Sequence, residues 1–462
     1  MKNILVKDII RVCNGTLIFG NENEICANFV RDSREVNEGD IYLGIKGEKY
    51  HGSTFYKEAL ENGAAGCIVQ DIEISEEDIN TYKNQFIIKV ENVVKALQEI
   101  AAYKRSLYNI PVIGITGSVG KTSTKDMIAS VMATKYNVLK TEANHNNEIG
   151  LPLTILKLKE HDTMVLEMGM SSLGEISLLT EIAKPTTAVI TIIGSSHIGE
   201  LGSRENILKA KLEILEGLDE KGSLIINNDN DLLNIWNTNN EDSHKHITYG
   251  IENKSELIAK DIKVKEDGSS FVVEIKGKQY TVEVPVAGKH FVYNSLAAIA
   301  VGIENNIEIE KIIEGISNFS LTKSRMEILK NENNVTIIND CYNSSYESVK
   351  AALEYISSLD ANRKIAVLGD VLELGKFSEK MHQQMGEEVV NNNIDMLVTV
   401  GKEAKIIAST VKNKTEEIEV LSFDNNIDAS KFLKELMKKD DVILVKASHG
   451  MHFEEIVEAI KK

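Results

Sequence analysis

Residues 111–136 read PVIGITGSVGKTSTKDMIASVMATKY. An apolar strand, PVIGIT, runs into a glycine turn and then into a helix, STKDMIASVMATKY. Gly117 and Gly120 let the backbone turn so that several N–H groups face one phosphate. The helix N-terminus adds its partial positive charge. Lys121 reaches the outer phosphates, and the Thr122 hydroxyl can ligate Mg²⁺. The spacing is tighter than the usual phosphate loop. Ile115 stands where that pattern has its first glycine, which leaves G-x-x-G-K-T. Gly117, Ser118, Val119, Gly120, Lys121, Thr122 and Ser123 are the candidate phosphate-binding residues.

Outward from this loop the texture stays α/β. Toward the C-terminus come the strands TMVLEMG, TTAVITIIG and GSLIINND, each followed by a helical stretch. AKDIKVKE and SSFVVEIKGKQYTVEV read as an antiparallel insert, with Asp267-Gly268 as the turn signal. The helix NSLAAIAVGIE closes the segment. From about residue 323 strands and amphipathic helices alternate: VTIIND, KIAVLGD, DMLVTVG, EIEVLSF and DVILVKAS are the strands. Such a pattern implies a mostly parallel sheet with helices on both faces, and ligands beyond the carboxyl ends of its strands. Before the loop, DIYLGIKG alternates like a strand, and STFYKEALENGAAGCIV reads as helix, glycine turn and strand. The expected fold is three α/β domains: a small module over 1–108, a central phosphate-loop ATPase-like sheet over 109–322, and a Rossmann-like domain over 323–462.

The bulk properties fit this. The 462 residues suffice for several cores, 42% are apolar and 26% charged, and there are only four prolines. The net charge of −18, with no basic block, argues against a nucleic-acid surface. It does not exclude a phosphorylated ligand. Cys13, Cys26, Cys67 and Cys341 show no C-x-x-C spacing and read as thiols of a reducing compartment. The N-terminus MKNILVKDIIRVCNG reads as a helix rather than a signal peptide. No apolar run approaches the roughly 18 residues of a membrane span. The expectation is a cytoplasmic protein.

Three residues at later element ends complete a candidate metal set with Thr122. Glu167 ends the strand TMVLEMG, where a carboxylate suits Mg²⁺. His197 follows TTAVITIIG, and Lys211 lies on the helix RENILKAKLEILEG. Singly, each also reads as a solvated side chain; their company with the phosphate loop raises them. Asn144, Asn146 and Asn147 share one loop and can donate or accept toward phosphate or substrate. Asn294 opens the apolar helix NSLAAIAVGIE, a position that also suits an N-cap.

TGSVGKTSTK, NHNNEIGLP, VLEMG, SSHIGELGSRENILKAKLEI, NNDND, GKHFVYNSLAA, SRMEIL, DCYNSS and LGDVLELG occur in the order found in Mur ligases. The chain resembles that family over nearly its whole length. The resemblance implies an ATP-dependent, ADP-forming amide ligase, with Lys121, Glu167, His197 and Lys211 as catalytic positions. Lys211 would carry a CO₂-derived carbamate, an anion that helps hold the second of two Mg²⁺ ions together with His197. It also implies that Asn294, Arg325 and Asp340 bind ATP.

RDSREVNEGDIYLGIKGEKYHG resembles the UDP-sugar module of the family branch that adds a dipeptide, with Ser33, Arg34 and Gly47 at matching positions. The implied substrates are UDP-MurNAc-tripeptide and D-Ala-D-Ala, with Tyr342, Asn343, Lys446 and Ser448 on the amino-substrate side, acting in a monomer. The chain departs from the family pattern at Ser344, Ser345, Tyr346, Ala447 and His449, which leaves another amino substrate open. A folylpolyglutamate synthase-like ligase is the nearest alternative, and the N-terminal module speaks against it. A nucleotide switch protein is the alternative from another class; no guanine-reading N-K-x-D motif is present.

Overall fold

The computed structural model describes residues 2–239, 242–265, 268–321 and 323–461. Its strands form three large sheets. The central one has nine strands. Its parallel part runs in the order Lys245–Gly250, Ser223–Asn227, Thr187–Ile190, Val112–Thr116, Thr163–Glu167, Val138–Lys140. All residues of Val112–Thr116, Thr163–Glu167 and Thr187–Ile190 are buried. Continuous apolar strands of this kind arise when helices cover both faces of a parallel sheet. Val112–Thr116 has Thr163–Glu167 on one side and Thr187–Ile190 on the other, both parallel to it. Chain direction across the sheet therefore reverses at this strand, and the crevice at its carboxyl end is the site such sheets offer a ligand.

The antiparallel stretch differs from expectation. It comprises three strands, Leu257–Lys265, Gly268–Ile275 and Lys278–Val284, which extend the nine-stranded sheet instead of standing apart. Leu257–Ile258 pair in parallel with Tyr249–Gly250, and that pairing continues the sheet. The second turn uses Lys276 and Gly277, both left-handed at φ +52° and +77°; Asp267 of the first turn lies outside the described residues. The helix after the phosphate loop spans Lys121–Met132 and stops short of Tyr136. The helix containing NSLAAIAVGIE begins at Lys289, so Asn294 lies in its interior and is no N-cap. A further helix, Ile309–Ser317, follows it.

The N-terminal sheet has five strands; Ile41–Leu43 lies next to its edge strand Phe29–Val30 and is parallel to both neighbours. All three residues of that strand are buried, so DIYLGIKG does not alternate in and out. The C-terminal sheet has six strands. Five are parallel, and the edge strand Glu327–Lys330, which periodicity did not reveal, pairs antiparallel with Thr336–Asn339. Among the described residues the four cysteines are free, and no helix is long and apolar enough to cross a membrane.

Candidate active site

The turn GSVGKT closes over the end of Val112–Thr116. Gly117 has φ +147°, and a Cβ there would run into Thr191 Oγ1. Gly120, at φ +86°, caps the helix Lys121–Met132. The turn is braced by the segment after the neighbouring strand. Ser118 N–H donates to the Ile192 carbonyl at 2.8 Å, Gly194 N–H to Ser118 Oγ at 2.9 Å, and Thr191 Oγ1 to the Val119 carbonyl at 2.6 Å. Lys121 Nζ folds back onto the Gly117 carbonyl at 2.9 Å. Burial lowers its pKa, Arg325 adds to this, and Glu167 opposes it.

Strand ends bring the other groups to this turn. Thr122 Oγ1 donates to Glu167 Oε2 at 3.0 Å, and Asn146 Nδ2 donates to Glu167 Oε1 at 2.8 Å. Both carboxylate oxygens are thereby aimed by neighbours, and Glu167 is 2% exposed. Asn147 Oδ1 accepts from the N–H of Gly150, the first residue of the helix Gly150–Leu156, at 2.8 Å, and Asn144, Asn146 and Asn147 all line the cleft. Asn294 Oδ1 accepts from Thr124 Oγ1 at 3.0 Å, which holds the amide at the cleft wall.

Lys211 is 1% exposed. Burial and the nearby Lys121 push its pKa well below the ordinary lysine value, against Glu167, Glu175 and Glu213. It is not part of the cleft surface. His197 lines the cleft in a left-handed conformation at φ +61°. Its buried Nδ1 lies 2.7 Å from Glu373 Oε2, off the line of a well-formed hydrogen bond.

The C-terminal sheet supplies the opposite wall of a cleft of about 1340 Å³. Arg325 donates to Thr122 Oγ1 at 3.2 Å, and its guanidinium sits 4.0 Å from the centre of the Tyr342 ring. Lys446 is buried and donates to Asp340 Oδ2 at 2.6 Å and to the Asn343 carbonyl at 3.0 Å. Arg325, Asp340, Tyr342, Asn343, Lys446 and Ser123 all line the cleft, as do Val119 and Gly120. Ser448 does not; its Oγ accepts from Leu372 N–H at 2.9 Å and so shapes a neighbouring loop. Ser33, Arg34 and Gly47 also lie away from the cleft lining. Ser33 Oγ donates to Glu58 at 2.8 Å, Arg34 pairs with Asp32 at 2.6 Å, and Gly47 N–H donates to the Tyr50 carbonyl at 2.9 Å.

Two cleft groups escaped the sequence reading. Asp229 accepts backbone N–H bonds from Ile251, Glu252 and Asn253 at 2.6, 3.1 and 2.7 Å and the Tyr293 hydroxyl at 2.8 Å. Burial would raise its pKa, and these bonds hold it below the usual carboxylate range. The signal was available: Asp229 follows its strand as Glu167 ends its own. His290 lines the cleft beside Phe291, and burial lowers its pKa to about 4. Among the described residues no three His, Cys, Asp or Glu side chains form a metal-binding group. A cation here would need the mixed set of Thr122, Glu167 and their neighbours.

Three family models match the chain in order. "Mur ligase family, catalytic domain" matches residues 29–105, "Mur ligase middle domain" 115–302, and "Mur ligase, glutamate ligase domain" 324–449. A UDP-N-acetylmuramoyl-tripeptide–D-alanyl-D-alanine ligase of Bacillus subtilis is 41% identical over 456 residues, covering 98% of this chain and 97% of its own. MurF from Acinetobacter baumannii superposes with a TM-score of 0.88 at 26% identity, over 100% of this chain and 99% of its own. MurF ligase from Thermotoga maritima, in complex with ADP, does so with a TM-score of 0.83 at 29% identity, over 94% and 97%. A phosphate loop walled by a second α/β sheet is common to many enzymes, but identity of 41% sustained across 98% of the chain is specific: this chain belongs to the Mur ligase family.

Proposed function

We propose that the protein is a cytoplasmic, monomeric, ATP-dependent ligase that joins D-Ala-D-Ala to UDP-MurNAc-tripeptide, with domains at 1–108, 109–322 and 323–462. The observation that carries this reading is one cleft lined by Lys121, Thr122 and Glu167 from the central segment and by Arg325, Asp340 and Lys446 from the C-terminal segment. It is supported by the relatives named as UDP-N-acetylmuramoyl-tripeptide–D-alanyl-D-alanine ligases. The tripeptide carboxylate oxygen attacks the γ-phosphorus of ATP, the bond to the β-phosphate oxygen breaks, and ADP leaves. The dipeptide amine then attacks the acyl phosphate carbon, loses a proton, and phosphate departs. Lys121 and Arg325 place positive charge against the transferring phosphoryl group, in a site walled from water by the second sheet. Asp340 and Lys446 stand on the wall from which the amine would arrive.

The residues fit Mg²⁺. Thr122 and Glu167 offer oxygens that Asn146 and the turn already aim, and hard oxygen donors suit this ion. His197 and a carbamate on Lys211 would complete a second site. Bound Mg²⁺ would neutralise charge on the phosphates. Burial favours the neutral amine of Lys211, the form that combines with CO₂. The three surrounding carboxylates disfavour a lone carbamate there, so carbamate and cations belong together.

Phosphate release measured with and without each co-substrate tests the reading, using panels of precursors and amino substrates. Release that depends on both UDP-MurNAc-tripeptide and D-Ala-D-Ala is expected. Release indifferent to both would overturn the ligase reading, and preference for another amine would reassign the substrate. For the carbamate, Lys211→Ala should lose most activity, and added acetate should restore part of it; full activity in that variant would refute it.

A further inference from the structure

We infer that Glu373, contributed by the C-terminal domain, is a positioning residue that holds the His197 ring in its working orientation only when that domain is docked. The inference rests on the proposed ligase reading. Its basis is the junction between two short segments. Gly199 N–H donates to the Glu373 carbonyl at 3.1 Å, and Glu373 Oε2 lies 2.7 Å from His197 Nδ1. The segments meet at backbone level. A Cβ on Gly199 would stand 2.6 Å from the Glu373 carbonyl oxygen and 2.8 Å from Gly375 N. No side chain fits at residue 199 without parting them.

Both partners adopt a conformation that L-residues disfavour, His197 at φ +61° and Glu373 at φ +63°. Left-handed backbone of this kind is strained for residues that carry a side chain and persists where the surroundings impose it. The Glu373 side chain is 61% exposed, and exposed ion pairs contribute little to stability. Stability therefore does not account for the arrangement, whereas orientation does. The close approach of the Glu373 carboxylate to Nδ1 restricts the ring and leaves Nε2 as the nitrogen for the cleft. The same segment reaches the phosphate turn: Ser196 Oγ donates to the Ser118 carbonyl at 3.2 Å, and Ser195 Oγ donates to Glu347, in the first turn of the helix Tyr346–Ser358, at 3.0 Å. Docking of the second wall is thus felt at His197 and at the phosphate turn through one stretch of chain.

The test uses the full-length enzyme, with phosphate release required to depend on both co-substrates before any variant is read. If that requirement fails, the ligase reading fails and not this one. Glu373→Ala should lower kcat by about 10- to 100-fold, with a smaller change in KM for ATP. Glu373→Gln keeps an acceptor oxygen and should recover a large part. Mn²⁺ binding in the presence of a non-hydrolysable ATP analogue, followed by the electron paramagnetic resonance of the free ion, should weaken in Glu373→Ala and recover in Glu373→Gln. In a His197→Ala background, Glu373→Ala should cause no further loss, because its effect passes through the ring. Additive losses, or wild-type kcat and Mn²⁺ binding in Glu373→Ala, would overturn the assignment. Should Glu373→Ala fold poorly, Gly199→Ala, which parts the same segments, must show the same Mn²⁺ defect or the inference is lost.

Discussion

Lys121 illustrates how much one side chain owes to its surroundings. Its amine is held against the Gly117 carbonyl, and burial lowers its pKa; in the proposed reaction phosphate oxygens would replace that partner. Lys121→Ala should leave the fold intact and lower turnover by roughly 10²- to 10³-fold, the loss typical for one electrostatic group aimed at a transition state. Near-normal phosphate release in a folded variant would remove the loop from the mechanism. His290 makes a separate prediction. Its folded pKa lies near 4, below the ordinary value of about 6.5. Between these values the unfolded chain binds the proton and the folded chain does not, so stability is fully present above pH 6.5 and falls as pH drops toward 4. Urea midpoints recorded across that window should fall less in His290→Asn than in the parent; parallel curves would count against a neutral imidazole at this half-buried position.

Among the elements, the phosphate turn is a strand–helix junction whose geometry only glycine supplies at Gly117. A side chain there meets Thr191 and a left-handed backbone together. Gly117→Ala should destabilise the protein by about 1–3 kcal/mol and weaken ADP binding, as read by urea unfolding and calorimetry. Unchanged values in both would mean the turn relaxes freely. The strand reading held where apolar runs were long, as in the alternating C-terminal segment. At Ile41–Leu43 the strand is present, but burial on both faces erases the expected alternation; the reading missed Glu327–Lys330, an edge strand with an exposed face and no periodic run. Asn294 was misplaced within its helix because the start at Lys289 carries no side-chain cap.

For the whole molecule, the contacts between the central and C-terminal sheets include polar ones at the cleft: Arg325 on Thr122, Glu347 on Ser195, Glu373 on His197 and Gly199. Polar contacts of this kind can be exchanged for water, which permits rigid-body opening in solution. Small-angle scattering should show a smaller radius of gyration with an ATP analogue and UDP-precursor bound than without ligand. An unchanged profile at demonstrated saturation would contradict closure.

The glycine turn, the Glu167 carboxylate after its strand, and the alternating α/β plan were legible in the chain alone. Each is a local pattern in which spacing and side-chain chemistry coincide within a few residues. That Glu167 is aimed by Thr122 and Asn146, that Lys211 is buried within the field of Lys121 and three carboxylates, and that Ser448 braces a loop away from the cleft came from the folding of distant segments. The same holds for Glu373, which meets His197 across more than 170 residues of chain. Burial and opposing charge depend on what other segments bring, and no local pattern records which distant side chain will fill the space.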